Sequence, residues 1–142
     1  MMTKEIRINV VGIDQEDGYI KYEIYFNNGF CASTLEFFGY PDEFKEFSID
    51  LIDFPKSTDD KVIYELGEKE NQWAYHLLIQ AYCVEPNGRS AIKIESTKNG
   101  TGLDFHDCKF ELESEVASIN RLGTGLKNWN PLDQEQFIWQ SN

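Results

Sequence analysis

The sequence predicts an α+β fold in which an antiparallel sheet of about six or seven strands carries two helices. Three observations support this prediction. Several segments alternate apolar and polar residues with a period of two, which is typical of half-buried strands. Short turn signals separate the first three of these segments, and connections so short join antiparallel strands. Two other segments, one in mid-chain and one near the C-terminus, repeat their apolar residues at helical spacing.

Length and composition indicate one domain, spanning residues 1–142. The chain is 41% hydrophobic and 14% aromatic, so it can bury a core and is not a disordered acidic tail. It carries 25 acidic and 13 basic residues, a net charge of −12. Phosphates and anionic lipid surfaces need clustered Lys and Arg, so we expect no nucleic-acid partner and no membrane partner. An acidic chain instead prefers basic partners.

The first forty residues predict three strands. Ile6, Ile8 and Val10 alternate with polar residues, and so do the apolar residues of 20–26. The turn signals DQEDG and NNG follow them, and residues 30–38 form the third strand. We therefore expect an antiparallel meander.

Residues 40–54 predict the first helix. Pro41 fits a first helical turn, and Pro55 ends the helix. At 100° per residue, one face is apolar and the opposite face is acidic. The apolar face contains Phe44, Phe47, Leu51 and Phe54, and the acidic face contains Asp42, Glu46, Asp50 and Asp53.

The second half predicts further strands and the second helix. Residues 72–84 are apolar on both faces and predict a central strand, between strands at 62–66 and 91–96. A last strand covers residues 105–112. Ser114 is a good N-cap for a helix with the apolar stripe Val116, Ile119, Leu122 and Leu126. We expect the aromatic tail 137–139 to dock on its own fold.

The acidic stripe is the most specific candidate site. Like charges four residues apart in a helix cost about 0.2–0.5 kcal/mol per pair, so a helix selected for stability alone would avoid them. Residues 42–60 contain seven acids and only two lysines. We predict a docking face for a cationic protein, and the alternative is an ordinary solvated helix face. The predicted contact residues are Asp42, Glu46, Asp50, Asp53, Asp59 and Asp60. A second acidic row, Asp107, Glu111 and Glu113, either extends this face or keeps a sheet face wet.

No motif predicts catalysis, a metal or a cofactor. Asp104, His106 and Cys108 share a strand parity that superficially suits a metal, but the same parity continues into apolar core positions. Neither GTG segment belongs to a phosphate-binding loop. The three cysteines form no disulfide framework, so we expect a reducing cytoplasm. No signal peptide or membrane-spanning run is expected.

In element order, residues 31–129 resemble the immunity proteins of bacterial polymorphic and contact-dependent toxin systems. The resemblance runs through LEFFGY, DEFKEFSIDLIDF, VIYEL, WAYHLLIQAYCV and AIKIES, and then through CKFELES leading into VASINRLGTGLKNW. It implies a cytoplasmic protein that binds and neutralises a sister toxin, often a nuclease. It carries over no functional residue, and the Gly-rich second helix and the tail after Trp129 depart from the pattern.

We therefore predict a non-enzymatic, acidic immunity-type inhibitor that binds a basic toxin domain as a monomer or weak homodimer. Two alternatives stay open. One is a small-ligand or enzymatic domain with a pocket between sheet and helix, near His76, Tyr82 or His106. The other is a structural subunit that dimerises through an edge strand or the tail.

Overall fold

The computed structural model describes residues 3–68 and 73–141 and confirms the α+β fold with antiparallel strands. The described residues form two helices, α1 (Lys45–Ile52) and α2 (Val116–Asn128), and eight strands. The strands are β1 (Glu5–Ile13), β2 (Ile20–Asn27), β3 (Ala32–Gly39), β4 (Lys61–Gly67), β5 (Tyr75–Cys83), β6 (Arg89–Lys98), β7 (His106–Glu115) and β8 (Gln136–Gln140).

The strands form two four-stranded antiparallel sheets, where we expected one sheet. Sheet A has the order β3-β2-β1-β8, and sheet B has the order β4-β5-β6-β7. The meander of the first three strands is confirmed, and so is the interior position of β5. The predicted start of β5 at residue 72 lies outside the described residues. Eight strands replace six or seven because the aromatic tail forms β8, which pairs with β1.

One hydrophobic core contains the inward side chains of both sheets and the apolar sides of both helices. Sheet A contributes Ile8, Tyr22 and Phe37, and sheet B contributes Leu77 and Ile94. Alternation predicted the inward direction of Ile8, Tyr22 and Ile94 correctly, because successive side chains point to opposite faces of a sheet. The tail docks as expected, with Phe137 and Trp139 buried.

Helix α1 is shorter than predicted, because residues 41–44 form turns. The side chain of Glu43 accepts a hydrogen bond from the backbone N–H of Tyr40 at 3.0 Å, and the N–H of Lys45 bonds to the carbonyl of Asp42 at 3.0 Å. That last bond reaches back three residues, which is turn geometry, and regular i→i−4 bonding starts with Ser48.

The predicted cap of α2 is wrong. Glu115 is the N-cap residue and makes no side-chain capping bond. Ser114 is buried at the end of β7, where its hydroxyl lies 2.9 Å from the hydroxyl of Ser141. The hydroxyl therefore joins the tail to sheet B and does not satisfy the helix. The apolar stripe is confirmed, with Ile119, Leu122 and Leu126 buried.

The two helices pack closely at Gly123. A Cβ there would lie 2.8 Å from the Ser48 carbonyl oxygen and 2.9 Å from the Ile52 nitrogen, so only glycine permits this approach. The side-chain amide of Asn120 donates to the carbonyls of Leu51 at 2.9 Å and Phe54 at 2.7 Å, which satisfies the C-terminal end of α1. This packing holds α1 in place and turns its acidic side outward.

Candidate binding surface

The outer side of α1 carries the predicted acidic stripe. Glu46 and Asp50 are exposed on the helix, Asp53 is its exposed C-cap residue, and Asp42 is exposed in the preceding turn. We call these four residues the acidic face. Within residues 3–68 and 73–141, no basic side chain pairs with any of their carboxylates. The face is therefore a concentrated negative surface that the fold does not neutralise.

The other two predicted contact residues lie in the loop after α1. Asp59 is exposed. Asp60 is half-buried, and its Oδ2 accepts the backbone N–H of Lys56 at 2.9 Å, which closes the loop on itself. Asp60 thus has a structural role that the sequence did not predict, and Asp59 stays a predicted contact residue.

Glu43 anchors the acidic face to sheet B. Its Oε2 accepts the hydroxyl of Tyr64 at 3.0 Å, while its Oε1 accepts the N–H of Tyr40. Burial of Tyr64, and next the charge of Glu43, raise the pKa of the Tyr64 hydroxyl far above its usual range. From the sequence, Glu43 was expected near the positive N-terminal end of the helix dipole, and no hydrogen-bond partner was predicted for it. Gly39 was the one available signal, because a Cβ at that position would crowd the Glu43 carboxylate.

The second acidic row lies on the outward face of sheet B and is paired. Thr97 donates to Asp107 at 2.9 Å, and the Tyr82 hydroxyl donates to Glu111. Arg89 bonds Glu113 at 2.7 Å and holds the pKa of that carboxyl below its usual range. These three carboxylates are bonded by side chains of their own sheet, whereas the carboxylates of the acidic face form no ion pair within the described residues.

The histidines and cysteines do not assemble a site. His76 lies buried on the outward parity of β5, 2.7 Å from Glu65, and Tyr82 shares that parity, so neither lies between sheet and helix. His106 lines an open cavity beside Lys98 and Asp104. Among the described residues, no three Asp, Glu, His or Cys side chains are grouped to hold a metal. The three cysteines are free.

A surface that sequence analysis missed lies at the open edge between the two sheets. Tyr19, Phe38, Tyr40 and Trp73 are each between 38% and 50% exposed there, and Tyr75 lies half-buried among them. We call these five residues the aromatic cleft. The available signal was the Phe37–Phe38 pair, because neighbouring residues in a strand cannot both face the core.

Comparison with models of protein families, with curated proteins and with solved structures found no match to this chain. Of the helices in the described residues, neither has the length and apolar character needed to cross a bilayer.

Proposed function

We propose that this chain is a non-enzymatic binding protein of the immunity type, which neutralises a basic toxin domain by covering its working surface. One observation carries the proposal. The acidic face places four exposed carboxylates around one short helix, and no basic residue of the described chain neutralises them. Such a surface attracts cations, and it gains its ion pairs only from another molecule.

The physical mechanism needs no chemistry from this chain. A nuclease surface is basic because it holds phosphates. An acidic face steers such a surface into encounter and then competes with the nucleic acid for the same Lys and Arg side chains. Inhibition follows from occupation of the site. The net charge of −12 adds long-range attraction to the local contact.

We also infer a cytoplasmic location. All three cysteines are free, with Cys31 exposed on the surface. An exposed thiol persists where glutathione and thioredoxin keep thiols reduced. In the cell that produces both proteins, the inhibitor binds the toxin in the cytoplasm.

The test looks beside the gene of this chain for a gene that encodes a large secreted protein with a toxin-like C-terminal domain, and it pairs that domain with this chain. That domain is expressed in a bacterial host with and without this chain, and growth is followed. We expect growth to be rescued by this chain, and calorimetry to show a complex whose affinity falls with rising salt. Failure to bind at micromolar concentration, or binding that is insensitive to salt, contradicts the proposal.

A further inference from the structure

The aromatic cleft is a formed surface depression and not a scatter of exposed rings. Three cavities of about 380, 460 and 700 Å³ adjoin there, and all three are lined by Phe38 and Tyr75. The ring centroids of Tyr19 and Tyr40 lie 4.5 Å apart, and those of Tyr19 and Phe38 lie 6.3 Å apart. Monomeric proteins rarely expose large apolar patches without a reason, and such patches mark interaction sites.

At the cleft, a hydrogen bond joins the edge of sheet A to sheet B. The backbone N–H of Phe38, on edge strand β3, donates to the Tyr75 hydroxyl at the start of β5, at 3.3 Å. That donor has no strand partner, because β3 is the last strand of sheet A. The bond satisfies the backbone N–H of Phe38, and the Phe38 ring stays exposed to solvent. The rings are therefore presented on a backbone that is already positioned.

Carboxylates dominate the charged residues that line the cleft. Five acids and two lysines line its three cavities. The acids are Asp14, Glu23, Glu36, Glu43 and Asp104. Each lysine pairs within the lining, Lys21 with Glu36 at 3.4 Å and Lys98 with Asp104. The lining thus keeps a negative excess after its own cations are paired.

The cleft already contains one example of the contact that it suits. The ammonium of Lys21 lies 5.9 Å from the centre of the Phe38 ring while it pairs with Glu36. A cation over a ring face beside a carboxylate is favourable, because the negative ring face and the carboxylate both attract it. Arginine suits such a place better than lysine, since its flat guanidinium stacks on rings and bonds carboxylates in pairs.

We propose that the aromatic cleft binds arginine side chains of a protein partner. The guanidinium groups stack on the exposed rings of Tyr19, Phe38 and Trp73, and the lining carboxylates accept their hydrogen bonds. Clustered Tyr and Trp with a polar rim is the composition of interface hot spots. This inference rests on the proposed function only in expecting a basic partner. It adds a second contact at the cleft, and Tyr40 of the cleft is followed in the chain by Asp42 of the acidic face.

The experiment uses the full chain labelled with ¹⁵N and a peptide of four Arg–Gly repeats. The control peptide carries citrulline, a neutral isostere of arginine. We expect the arginine peptide to shift the backbone N–H signal of Phe38 and the indole signal of Trp73. The indoles of Trp129 and Trp139 serve as internal controls, because they donate to the carbonyls of Gln134 at 3.0 Å and Ser118 at 2.9 Å, away from the cleft.

Two cleft variants and one matched surface variant test the location. Phe38→Ala and Trp73→Ala each remove a half-exposed ring, and each should weaken binding of the arginine peptide by at least about fivefold. Phe30→Ala removes a ring that is 79% exposed in the β2–β3 turn, and it should leave the affinity unchanged. Thermal unfolding of all three variants establishes that they are folded.

Several outcomes overturn the inference. They are equal binding of the citrulline peptide, unchanged affinity in both cleft variants, and shifts confined to other surfaces. Shifts at Phe38 and Trp73 with maltohexaose but none with the arginine peptide would assign the cleft to sugars and also overturn it. Asp50→Lys separates this test from the proposed function. Loss of peptide binding in Phe38→Ala but not in Asp50→Lys supports the cleft, whatever the toxin experiment shows. Absence of peptide binding refutes the cleft alone, because toxin neutralisation is measured independently.

Discussion

The two acidic surfaces of this protein differ in what their carboxylates contact. On sheet B, the row Asp107, Glu111 and Glu113 is bonded by side chains of the same sheet. On α1, the acidic face has no ion pair within the described chain. Both surfaces are exposed, and both have the same sign of charge. The row is part of how the sheet is stabilised, whereas the face costs stability and offers only unsatisfied charge.

This difference teaches that acidity alone does not mark a binding surface. A carboxylate that already accepts a hydrogen bond from its own fold must give up that bond to serve a partner. A free carboxylate loses only water. The acidic face is therefore the better candidate for charge contacts with a partner, and the sheet B row provides matched controls for it.

The largest expected effect is on toxin binding, when the charges of the acidic face or of the sheet B row are reversed. The Glu46→Lys/Asp50→Lys and Asp107→Lys/Glu113→Lys double variants change the net charge equally. We expect the first to weaken toxin binding about 100-fold, because like charges then meet in the contact. The second should weaken it less than about threefold, through long-range attraction alone. Calorimetry against the same toxin domain measures both. Equal weakening would show that only net charge matters.

The second effect concerns what holds α1 in place. Gly123→Ala puts a methyl group 2.8 Å from the Leu51 Cβ and the Ser48 carbonyl oxygen. We expect the free energy of unfolding to fall by about 2 kcal/mol, because backbone of α1 must shift. Gly12→Ala is the control, since its nearest neighbour would be the Lys21 Cβ at 3.8 Å. Urea unfolding measures both, and equal stability of the two variants would contradict the close crossing.

The third effect compares the tyrosines behind each surface at high pH. Burial raises the pKa of Tyr64 far above 10, and burial with the Glu111 bond raises the pKa of Tyr82 to about 12. When folding raises the pKa of a tyrosine, the neutral hydroxyl contributes to the free energy of unfolding. That contribution is fully present below the pKa of the unfolded chain, near 10, and it is lost as the pH rises above that value. The free energy of unfolding should therefore decline above about pH 10.

Tyr64→Phe should flatten that decline by up to about 1.4 kcal/mol per pH unit, because the buried hydroxyl no longer ionises on unfolding. Tyr82→Phe should flatten it less, since water reaches the half-buried Tyr82 ring. Urea unfolding between pH 8 and 11.5 measures the slopes. A larger effect at Tyr82 would mean that the Glu111 bond outweighs burial.

The smallest expected effect concerns the stability that is lost through repulsion between the carboxylates of the acidic face. Asp50→Asn removes a like-charge pair with Glu46, so the free energy of unfolding should rise by about 0.2–0.5 kcal/mol at low salt. Glu111→Gln on sheet B should give no gain, because the Tyr82 hydroxyl already bonds that carboxylate. Thermal unfolding at low and high salt measures both. A rise in the free energy of unfolding in Glu111→Gln would show that the carboxylates of both surfaces reduce stability, which contradicts the distinction between them.

Much of the fold was predictable, because strand alternation and helical spacing are local. Ile6, Ile8, Phe47 and Leu51 are buried as expected, and Asp50 is exposed as expected. Pairing of β8 with β1 was not predictable, because five residues with two buried aromatics fit a docked tail as well as a strand. The start of α1 was misplaced because the Glu43 side chain bonds backbone before the helix begins.

The candidate site likewise has features that the sequence predicts and features that it does not predict. Periodicity predicted the direction of Glu46 and Asp50, but the freedom of their carboxylates depended on where every Lys and Arg lies in space. Asp60 stays a predicted contact residue, and the sequence did not reveal that its carboxylate also closes a loop. The aromatic cleft was missed because its rings come from three separate segments, before β2, at the end of β3 and before β5.

The sequence by itself determined the charge of this protein, the face on which each strand and helix residue lies, and the antiparallel meander of its first strands. Those properties follow from backbone geometry over a few residues. Only the tertiary structure decided which carboxylates are paired, how closely α1 approaches Gly123, and that Tyr19, Phe38 and Trp73 share one cleft. Such contacts join residues far apart in the chain, so they depend on the path of the whole backbone and not on any local pattern.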